Sequence, residues 1–236
     1  MIPEVKYRRK NFMSNILGFD TSTNMCTVAL SVGDTIDSIS ELAPRKHTQL
    51  VLSMVDTLFK RNALALQDLD AISFGNGPGS FMGVRLATSV AQALAYAGDL
   101  QVIPVSTLQL LAQQAYHEVS ATQVIAAWDA RMAEMYFGCY QLAGNNLMEV
   151  NGSDTLIKPA QFNLPMGEWL LVGNAWDVYK DVLPFNCEKL TDLYPNAEVL
   201  VAIAKKLFSE KKTVSALQAT PNYIRDKVAD TPKKIS

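Results

Sequence analysis

Short apolar runs of strand length alternate along the chain with longer stretches in which apolar positions recur at helical spacing. In the first half, three strand-length runs follow one another with only tight polar turns between them, which predicts an antiparallel meander. After the meander, helical stretches and single strands alternate, so the first half has the order β-β-β-α-β-α-β-α. The predicted strands are 16–20, 26–32, 35–42, 71–74 and 101–106, and the predicted helices are 47–61, 81–97 and 108–116.

The second half begins again with three strand-length runs, followed by one further strand and two helices. In both halves the first strand ends in an acidic residue, Asp20 or Asp129. The alternation of strands and helices predicts an α/β protein. The predicted strands are 123–128, 134–142, 147–150 and 169–172, and the predicted helices are 176–183 and 196–211. The expected divisions are a flexible extension at 1–14, a first domain at 15–107, a second, smaller domain at 108–225 and a loose tail at 226–236.

A glycine-rich turn joins the strand at 71–74 to the following helix. Gly75, Gly77 and Gly79 permit backbone angles that residues with a Cβ avoid, and the Ser80 hydroxyl can accept from a free N–H of the first helical turn. Such a turn can hold an anion, or it can simply be a tight connection between strand and helix. No Gly-Lys-Ser/Thr follows, so this is not a Walker loop. The local spacing favours the structural role.

The helix predicted at 47–61 is apolar over a wide part of its surface. At about 100° per residue, its apolar side chains cover an arc of roughly 200°, about twice what a helix lying on one sheet needs. The excess predicts burial on two sides. The second side is either the neighbouring helix of the same domain or another protein. The side chains of this arc are Leu50, Val51, Leu52, Met54, Val55, Leu58 and Phe59.

Composition narrows the classes of function. The 236 residues carry a formal net charge of −2, whereas a protein that binds nucleic acid mainly through phosphates usually has a basic excess. The balance of charge therefore argues against strong autonomous RNA binding. Three widely separated cysteines, an odd number, indicate reduced thiols in a cytoplasmic protein. No apolar run approaches the length of a transmembrane helix, so we expect no membrane association.

Six segments, taken in order, resemble the bacterial TsaB family. Each segment alone is weak evidence for the resemblance. Together they extend over nearly the whole chain, from about Ser14 to Arg225, and their occurrence in this order is specific to the family. The resemblance implies an α/β fold of two actin-like (ASKHA, ribonuclease H-like) domains, each a mixed sheet with β-β-β-α-β-α order, with the second domain degenerate. The segments are Ile16–Thr23, Pro44–Thr48, Gly77–Arg85, Val105–Leu108, Asp129–Met132 and Tyr223–Arg225.

The TsaB family is the non-catalytic partner subunit in the synthesis of threonylcarbamoyladenosine on tRNA. The resemblance implies that the chain binds a catalytic TsaD-type paralogue, which modifies the adenosine next to the anticodon. It also implies a TsaE-type small ATPase in the assembly, a homodimer when the chain is alone, and contact with tRNA only indirectly. Replacing Val51 or Val55 with Asp or Glu is expected to weaken association more than it lowers the melting temperature of the isolated subunit. The expected interface residues are Leu50, Val51, Met54, Val55, Leu58, Arg85, Ser89 and Ala93.

The residues do not form a recognisable metal centre or catalytic group. Metal catalysis needs several His, Cys or carboxylate ligands at fixed spacing, and the chain has two histidines, His47 and His117, with no His-x-x-x-His. By the resemblance, the metal histidines of the paralogue fall at Thr107 and Leu111, and neither side chain supplies an imidazole. We therefore expect no catalytic residue and no metal. A metallopeptidase would need ligands that this sequence does not show.

A kinase-like phosphotransferase or ATPase is the alternative function. In that case Asp20 would orient a Mg²⁺-bound water, and the turn at 75–80 would hold phosphate. Against it, Asp129-Ala-Arg-Met132 keeps the acid but lacks the glycines of a second phosphate hairpin, which favours a degenerate cleft. We expect no cofactor, with ATP or ADP bound only weakly or in the assembled complex. The weak candidates for such a cleft are Asp20, Ser22, Gly79, Ser80 and Asp129.

Two arginines require an electrostatic explanation. Arg85 lies in the first turn of its helix, where a cation opposes the helix macrodipole. In one alternative, a carboxylate such as Asp20 or Asp129, or an acidic group on a partner, compensates the charge. In the other, the side-chain stem packs on the protein and the guanidinium lies in water. Arg131 is expected to pair with Asp20 or Asp129.

Overall fold

The computed structural model describes residues 14–225, which form two mixed β-sheets with helices packed on their faces. The strand order in the first sheet is β3-β2-β1-β4-β5. The pairs β1–β2 and β2–β3 are antiparallel, as the predicted meander requires, whereas β4 and β5 extend the sheet in parallel. The strands are β1 (Ile16–Asp20), β2 (Met25–Val32), β3 (Thr35–Leu42), β4 (Ala71–Gly75) and β5 (Gln101–Val105). The expected N-terminal extension, apart from Ser14, and the expected tail at 226–236 lie outside the described residues.

Two helices, α1 (His47–Asn62) and α2 (Phe81–Gly98), pack into one core with the first sheet. Ser80 caps α2 as predicted, because its hydroxyl accepts from the Gly83 amide at 3.4 Å. The helix ends at Gly98, and the C-cap residue Asp99 adopts a left-handed conformation with φ of 51°. The helix is therefore one residue longer than the predicted 81–97.

The second sheet has the strand order β11-β10-β6-β7-β8, and β9 also pairs with β7. Two short strands, β8 and β9, pair with the two ends of β7 and together make the third strand of the meander. Between them, the Asp154 carboxylate accepts hydrogen bonds from the hydroxyls of Tyr140 and Ser106. The strands are β6 (Gln123–Asp129), β7 (Met135–Leu142), β8 (Met148–Val150), β9 (Thr155–Ile157), β10 (Leu170–Val172) and β11 (Lys189–Leu190).

Helices α3 (Thr107–Val119) and α4 (Ala175–Val178) contribute to two separate cores of the second sheet. The helix predicted at 176–183 ends at Val178. After it, the Lys180 and Val182 amides each donate to the carbonyl three residues earlier, which is turn geometry and not α-helix. Pro184 also disfavours helical backbone at the residue before it. The second sheet therefore has one turn of helix where the sequence predicted two.

The last helix, α5 (Ala197–Ser209), packs on the first sheet and not on the second. Gly18 of β1 permits this close approach, because a Cβ there would lie 2.6 Å from Val201 Cγ1. Farther along, Val214 exchanges two backbone hydrogen bonds of 2.8 Å with Val102 of β5. Residues 197–219, which the predicted boundaries place in the second domain, thus pack with the first. None of the helices within 14–225 combines the length and apolar character needed to cross a membrane.

Candidate functional site

Asp20 ends β1 in a fully buried position. Its carboxylate accepts from the Ser22 amide and the Ser22 hydroxyl, both at 2.8 Å, and from the Thr107 hydroxyl at 3.4 Å. On β4, a Cβ placed on Gly75 would lie 1.7 Å from Asp20 Oδ2. Burial raises the pKa of Asp20 above its ordinary value, and the hydrogen bonds from Ser22 and Thr107 oppose that rise. Asp20 is therefore enclosed by its own chain.

The hydroxyl groups that follow Asp20 are also used inside the chain. The Thr21 hydroxyl donates to the Gly83 carbonyl at 2.7 Å, and the Thr23 hydroxyl accepts from the Met25 amide at 3.2 Å. The Ser22 hydroxyl donates to Asp20. A kinase-like site would use such hydroxyls as phosphate donors, but Thr21 and Ser22 already donate within the chain, whereas Thr23 acts only as an acceptor in its bond with Met25.

The glycine-rich turn packs directly on the turn that follows Asp20. The Ser80 amide donates to the Ser22 carbonyl at 2.6 Å, and a Cβ on Gly79 would lie 2.5 Å from that same carbonyl oxygen. The contact leaves no space for a phosphate between the two turns. The contact supports the structural role of the turn. Asp20 is fully buried and does not reach the open cleft between the two sheets, which corrects its assignment to a nucleotide cleft. The other four candidates, Ser22, Gly79, Ser80 and Asp129, line that cleft, and their binding of a nucleotide stays a prediction. Ser80 is exposed and serves as the cap of α2.

Asp129, the corresponding acid of the second sheet, organises the turn between β6 and β7. Its Oδ1 accepts from the Arg131 amide at 2.9 Å and from the Tyr179 hydroxyl at 2.7 Å, and its Oδ2 lies 3.3 Å from Arg131 Nη1. The predicted pairing of Arg131 with Asp129 is confirmed. Arg131, Met132 and Ala133 have φ of 61°, 55° and 56°, which is left-handed backbone without glycine. Each such residue costs about 1–2 kcal/mol.

A cleft of about 420 Å³ lies between the two sheets. Its walls include Ser22 and Gly79 from the first half and Trp128, Asp129 and Arg131 from the second. The segment 222–225 also lines it. Of the two strand-end acids, Asp129 lines the cleft and Asp20 does not, so the paired carboxylates expected of an ATP-dependent phosphotransferase do not face a common space.

Thr107 and Leu111, at the positions where the paralogue is expected to hold metal, are both fully buried on α3. The Thr107 hydroxyl donates to Ser22 Oγ at 3.1 Å, and Leu111 belongs to the core of the second sheet. Over the described part of the chain, no three His, Cys, Asp or Glu side chains come close enough to hold a metal ion.

One face of α2 is exposed along its whole length. Five side chains on this face lie within about 80° of one another on the helix, taking 100° per residue. We call it the α2 face, and its residues are Met82, Arg85, Ser89, Ala93 and Tyr96. Met82 is 70% exposed and Tyr96 is 79% exposed. Three of the predicted interface residues, Arg85, Ser89 and Ala93, therefore lie together at the surface.

Among residues 14–225, the groups recorded in contact with the Arg85 guanidinium are aromatic. Its guanidinium carbon lies 3.5 Å from the centroid of the Phe81 ring, and its Nε donates to the Tyr223 hydroxyl at 2.8 Å. A cation over an aromatic face is stabilised by the ring quadrupole. Neither Asp20 nor Asp129 compensates Arg85, which corrects that alternative.

The apolar arc of α1 is filled by the protein's own core. The residues Val51, Met54, Val55 and Leu58 are buried with β2 and α2, and Leu50 packs partly buried against the same cluster. The second side of the arc is thus the neighbouring helix of the same domain. This corrects the assignment of these five residues to the partner surface, because the chain itself covers them. The exposed apolar residue of the arc is Leu52.

Two long-range contacts at the cleft were not predicted from the sequence. One is the hydrogen bond between Arg85 and Tyr223, and the other is the ion pair between Arg225 and Glu134. The available signal was the presence of large, specific side chains at Tyr223 and Arg225 near the end of the chain. That signal does not indicate which residues these side chains contact.

Comparison with known proteins agrees with this structure over almost its full length. A family model described as TsaD, tRNA N6-adenosine threonylcarbamoyltransferase, matches residues 38–233. The Escherichia coli (strain K12) tRNA threonylcarbamoyladenosine biosynthesis protein TsaB is 40% identical over 221 residues, covering 91% of this chain and 96% of that protein. The Haemophilus influenzae protein of the same name is 37% identical, covering 90% of this chain and 94% of its own length.

Solved structures show the same architecture. An uncharacterized Pseudomonas aeruginosa protein with similarity to peptidase YeaZ has a TM-score of 0.86 and 41% identity, covering 90% of this chain and all of that chain. A second structure, YeaZ from Pseudomonas aeruginosa, has a TM-score of 0.85 and also 41% identity. These matches confirm the fold of two actin-like halves. Both the relatives and the ordered motifs place the chain in one group: it belongs to the TsaB family.

Proposed function

We propose that this protein is the accessory subunit that binds the TsaD-type catalytic subunit and supports formation of threonylcarbamoyladenosine in tRNA. The observation that carries the proposal is the α2 face, a continuous exposed stripe in a chain that is 40% identical to TsaB of Escherichia coli. Exposed apolar side chains that lie close together, as Met82, Ala93 and Tyr96 do on this face, are typical of an interaction site.

The α2 face has a shape suited to another helix. Small side chains, Ser89 and Ala93, lie at its centre, and larger ones, Met82 and Tyr96, lie near its ends. Small residues at a helix crossing allow the two axes to approach to about 8 Å, whereas the larger flanking side chains add buried area. A paralogue of similar fold would offer an equivalent helix, and so would a second copy of this chain. We therefore assign the homodimer and the mixed complex to the same face.

Catalysis in this proposal belongs to the partner. The support is geometric: Asp20 is enclosed by Gly75 and Ser22, and Thr107 and Leu111 are buried where metal ligands would be needed. We infer that this chain holds no cofactor of its own and that any ATP or ADP binds weakly or in the assembled complex. A TsaE-type ATPase joins that assembly in the cytoplasm, and contact with tRNA is indirect.

The proposal is tested by replacing Ala93 with Glu at the centre of the α2 face. A charge there would be buried without a partner in the complex, so we expect the affinity for the TsaD-type subunit to fall at least about tenfold. The measurement is mass by light scattering after gel filtration, with the catalytic subunit from the same cell. Ala160→Glu, which changes an exposed alanine in the second half, is the matched control and should bind as the unmodified protein does.

Two results would refute the proposal. If the unmodified protein and the catalytic subunit elute separately at every ratio, the accessory role has no basis. If they form a complex that Ala93→Glu leaves intact, association occurs but the α2 face is not the interface.

A further inference from the structure

The C-terminal part of the described chain crosses the cleft between the two sheets. On the side of the first sheet, the Asn222 amide donates to the Asn76 carbonyl at 2.8 Å. One residue later, the Tyr223 hydroxyl accepts from Arg85 Nε, also at 2.8 Å. These contacts join the segment 221–225 to the glycine-rich turn and to α2.

On the side of the second sheet, the segment is held by Arg225. Its guanidinium Nη2 donates to Glu134 Oε2 at 2.5 Å and to the Arg131 carbonyl at 3.4 Å, and its Nη1 lies 3.2 Å from Met132 Sδ. The Arg225 side chain is only 14% exposed. The Glu134 side chain is 27% exposed, so the ion pair is partly buried and is much less exposed to water than the pair between Lys60 and Asp56. Hydrogen bonds between ionised groups are stronger than neutral ones.

The three residues that Arg225 contacts belong to or border the left-handed turn. Arg131, Met132 and Ala133 form it, and Glu134 follows immediately. Strained backbone of this kind persists only where surrounding contacts determine it. Asp129 holds the turn from inside the second sheet, and Arg225 holds it from across the cleft.

We propose that residues 221–225 are a clasp that fixes the second sheet against the first, with Arg225 as the positioning residue that locks the turn at 131–133. The chain also passes between the sheets covalently after β5 and before α5. The clasp adds a non-covalent closure at the cleft itself. Because Tyr223 bonds Arg85, the closure extends to the α2 face.

Hydrogen exchange of the full-length protein, followed by mass spectrometry, tests the clasp on the protein alone, whether or not a partner binds. In Arg225→Ala, we expect amides of 130–136 and 221–225 to exchange at least about tenfold faster, while those of β1 and α5 keep their protection. Arg225→Lys should behave similarly, because an ammonium cannot reproduce the forked contacts of a guanidinium. Arg61→Ala, which removes the exposed pair of Arg61 with Asp37, is the control and should change neither segment.

A charge exchange separates the ion pair from other effects of substitution. Arg225→Glu and Glu134→Arg should each loosen 130–136, and the double variant should restore its protection. Glu134→Gln provides a test of nearly unchanged size if a charge reversal impairs folding. The clasp is refuted if Arg225→Ala and Glu134→Gln leave exchange at 130–136 unchanged, or if they raise it equally throughout the chain. A double variant as loose as the single ones would rule out the ion pair as the lock.

Discussion

Asp20 is kept in the interior by hydrogen bonds on its carboxylate and by the absence of a side chain at Gly75. Ser22 donates twice to Oδ1, and Thr107 donates to Oδ2. Removing a carboxylate from water disfavours its charged form, which is why the pKa of Asp20 is raised. At this scale, the residue is a structural centre of the β1–β2 turn.

The raised pKa predicts how stability depends on pH. The folded protein binds the Asp20 proton more tightly than the unfolded chain does. The contribution of Asp20 to the unfolding free energy is therefore largest below its ordinary pKa of 3.8 and falls as pH rises through the folded-state pKa. An asparagine side chain at this position would carry no charge and would keep an acceptor for Ser22. We expect Asp20→Asn to gain stability relative to the unmodified protein as pH rises from about 3 towards 7.

The measurement is urea unfolding of both proteins at a series of pH values. Asp20→Ala serves as the control, because it leaves the Ser22 donors without an acceptor and should lose about 1–3 kcal/mol even where Asp20→Asn does not. A difference between Asp20→Asn and the unmodified protein that is constant with pH would contradict the explanation.

At the scale of the elements, two side chains of the same apolar type can differ in burial. On α1, adjacent residues differ completely: Val51 is 1% exposed in the core with β2, and Leu52 is 52% exposed. The wide apolar arc correctly predicted burial on two sides. It could not identify α2 as the second neighbour, because periodicity shows that a face is buried and not what buries it.

This pair of neighbours gives a prediction for α1. Val51→Asp would bury an unpaired charge and should reduce the unfolding free energy by about 3 kcal/mol or more. Leu52→Asp, at an exposed position, should change it by no more than about 0.5 kcal/mol. Urea unfolding of the isolated protein measures both. Equal losses would show that the α1 faces are assigned incorrectly.

Most long elements could be predicted from the sequence, because they carry several repeats of their period. The strands of the first sheet and helices α1 to α3 are confirmed within a few residues. The strands β9 and β11 were missed, since two or three residues show no period. The packing of α5 on the first sheet could not be predicted either, because an apolar helix face can pack on either sheet. The close approach of α5 depends on Gly18, which is far from α5 in the sequence.

At the scale of the whole molecule, the site depends on contacts that sequence spacing does not encode. Arg85 and Tyr223 are 138 residues apart, and Arg225 and Glu134 are 91 residues apart. The return of α5 to the first sheet brings the C-terminal segment to the cleft. Residues 14–225 form two linked halves, each with an acid hydrogen-bonded in the turn after its first strand. The α2 face lies exposed on the first half. This arrangement suits a subunit that acts through association.

The rate of threonylcarbamoyladenosine formation in a reconstituted system tests this account most directly. The reaction would contain tRNA, the threonylcarbamoyl donor, the TsaD-type subunit and the small ATPase, with this protein added unmodified, as Asp20→Asn or as Ala93→Glu. We predict that the unmodified protein and Asp20→Asn support the same rate, and that Ala93→Glu does so only at higher concentration. Full product formation without this protein, or a complex that still forms with Asp20→Asn but no longer makes product, would contradict the accessory role.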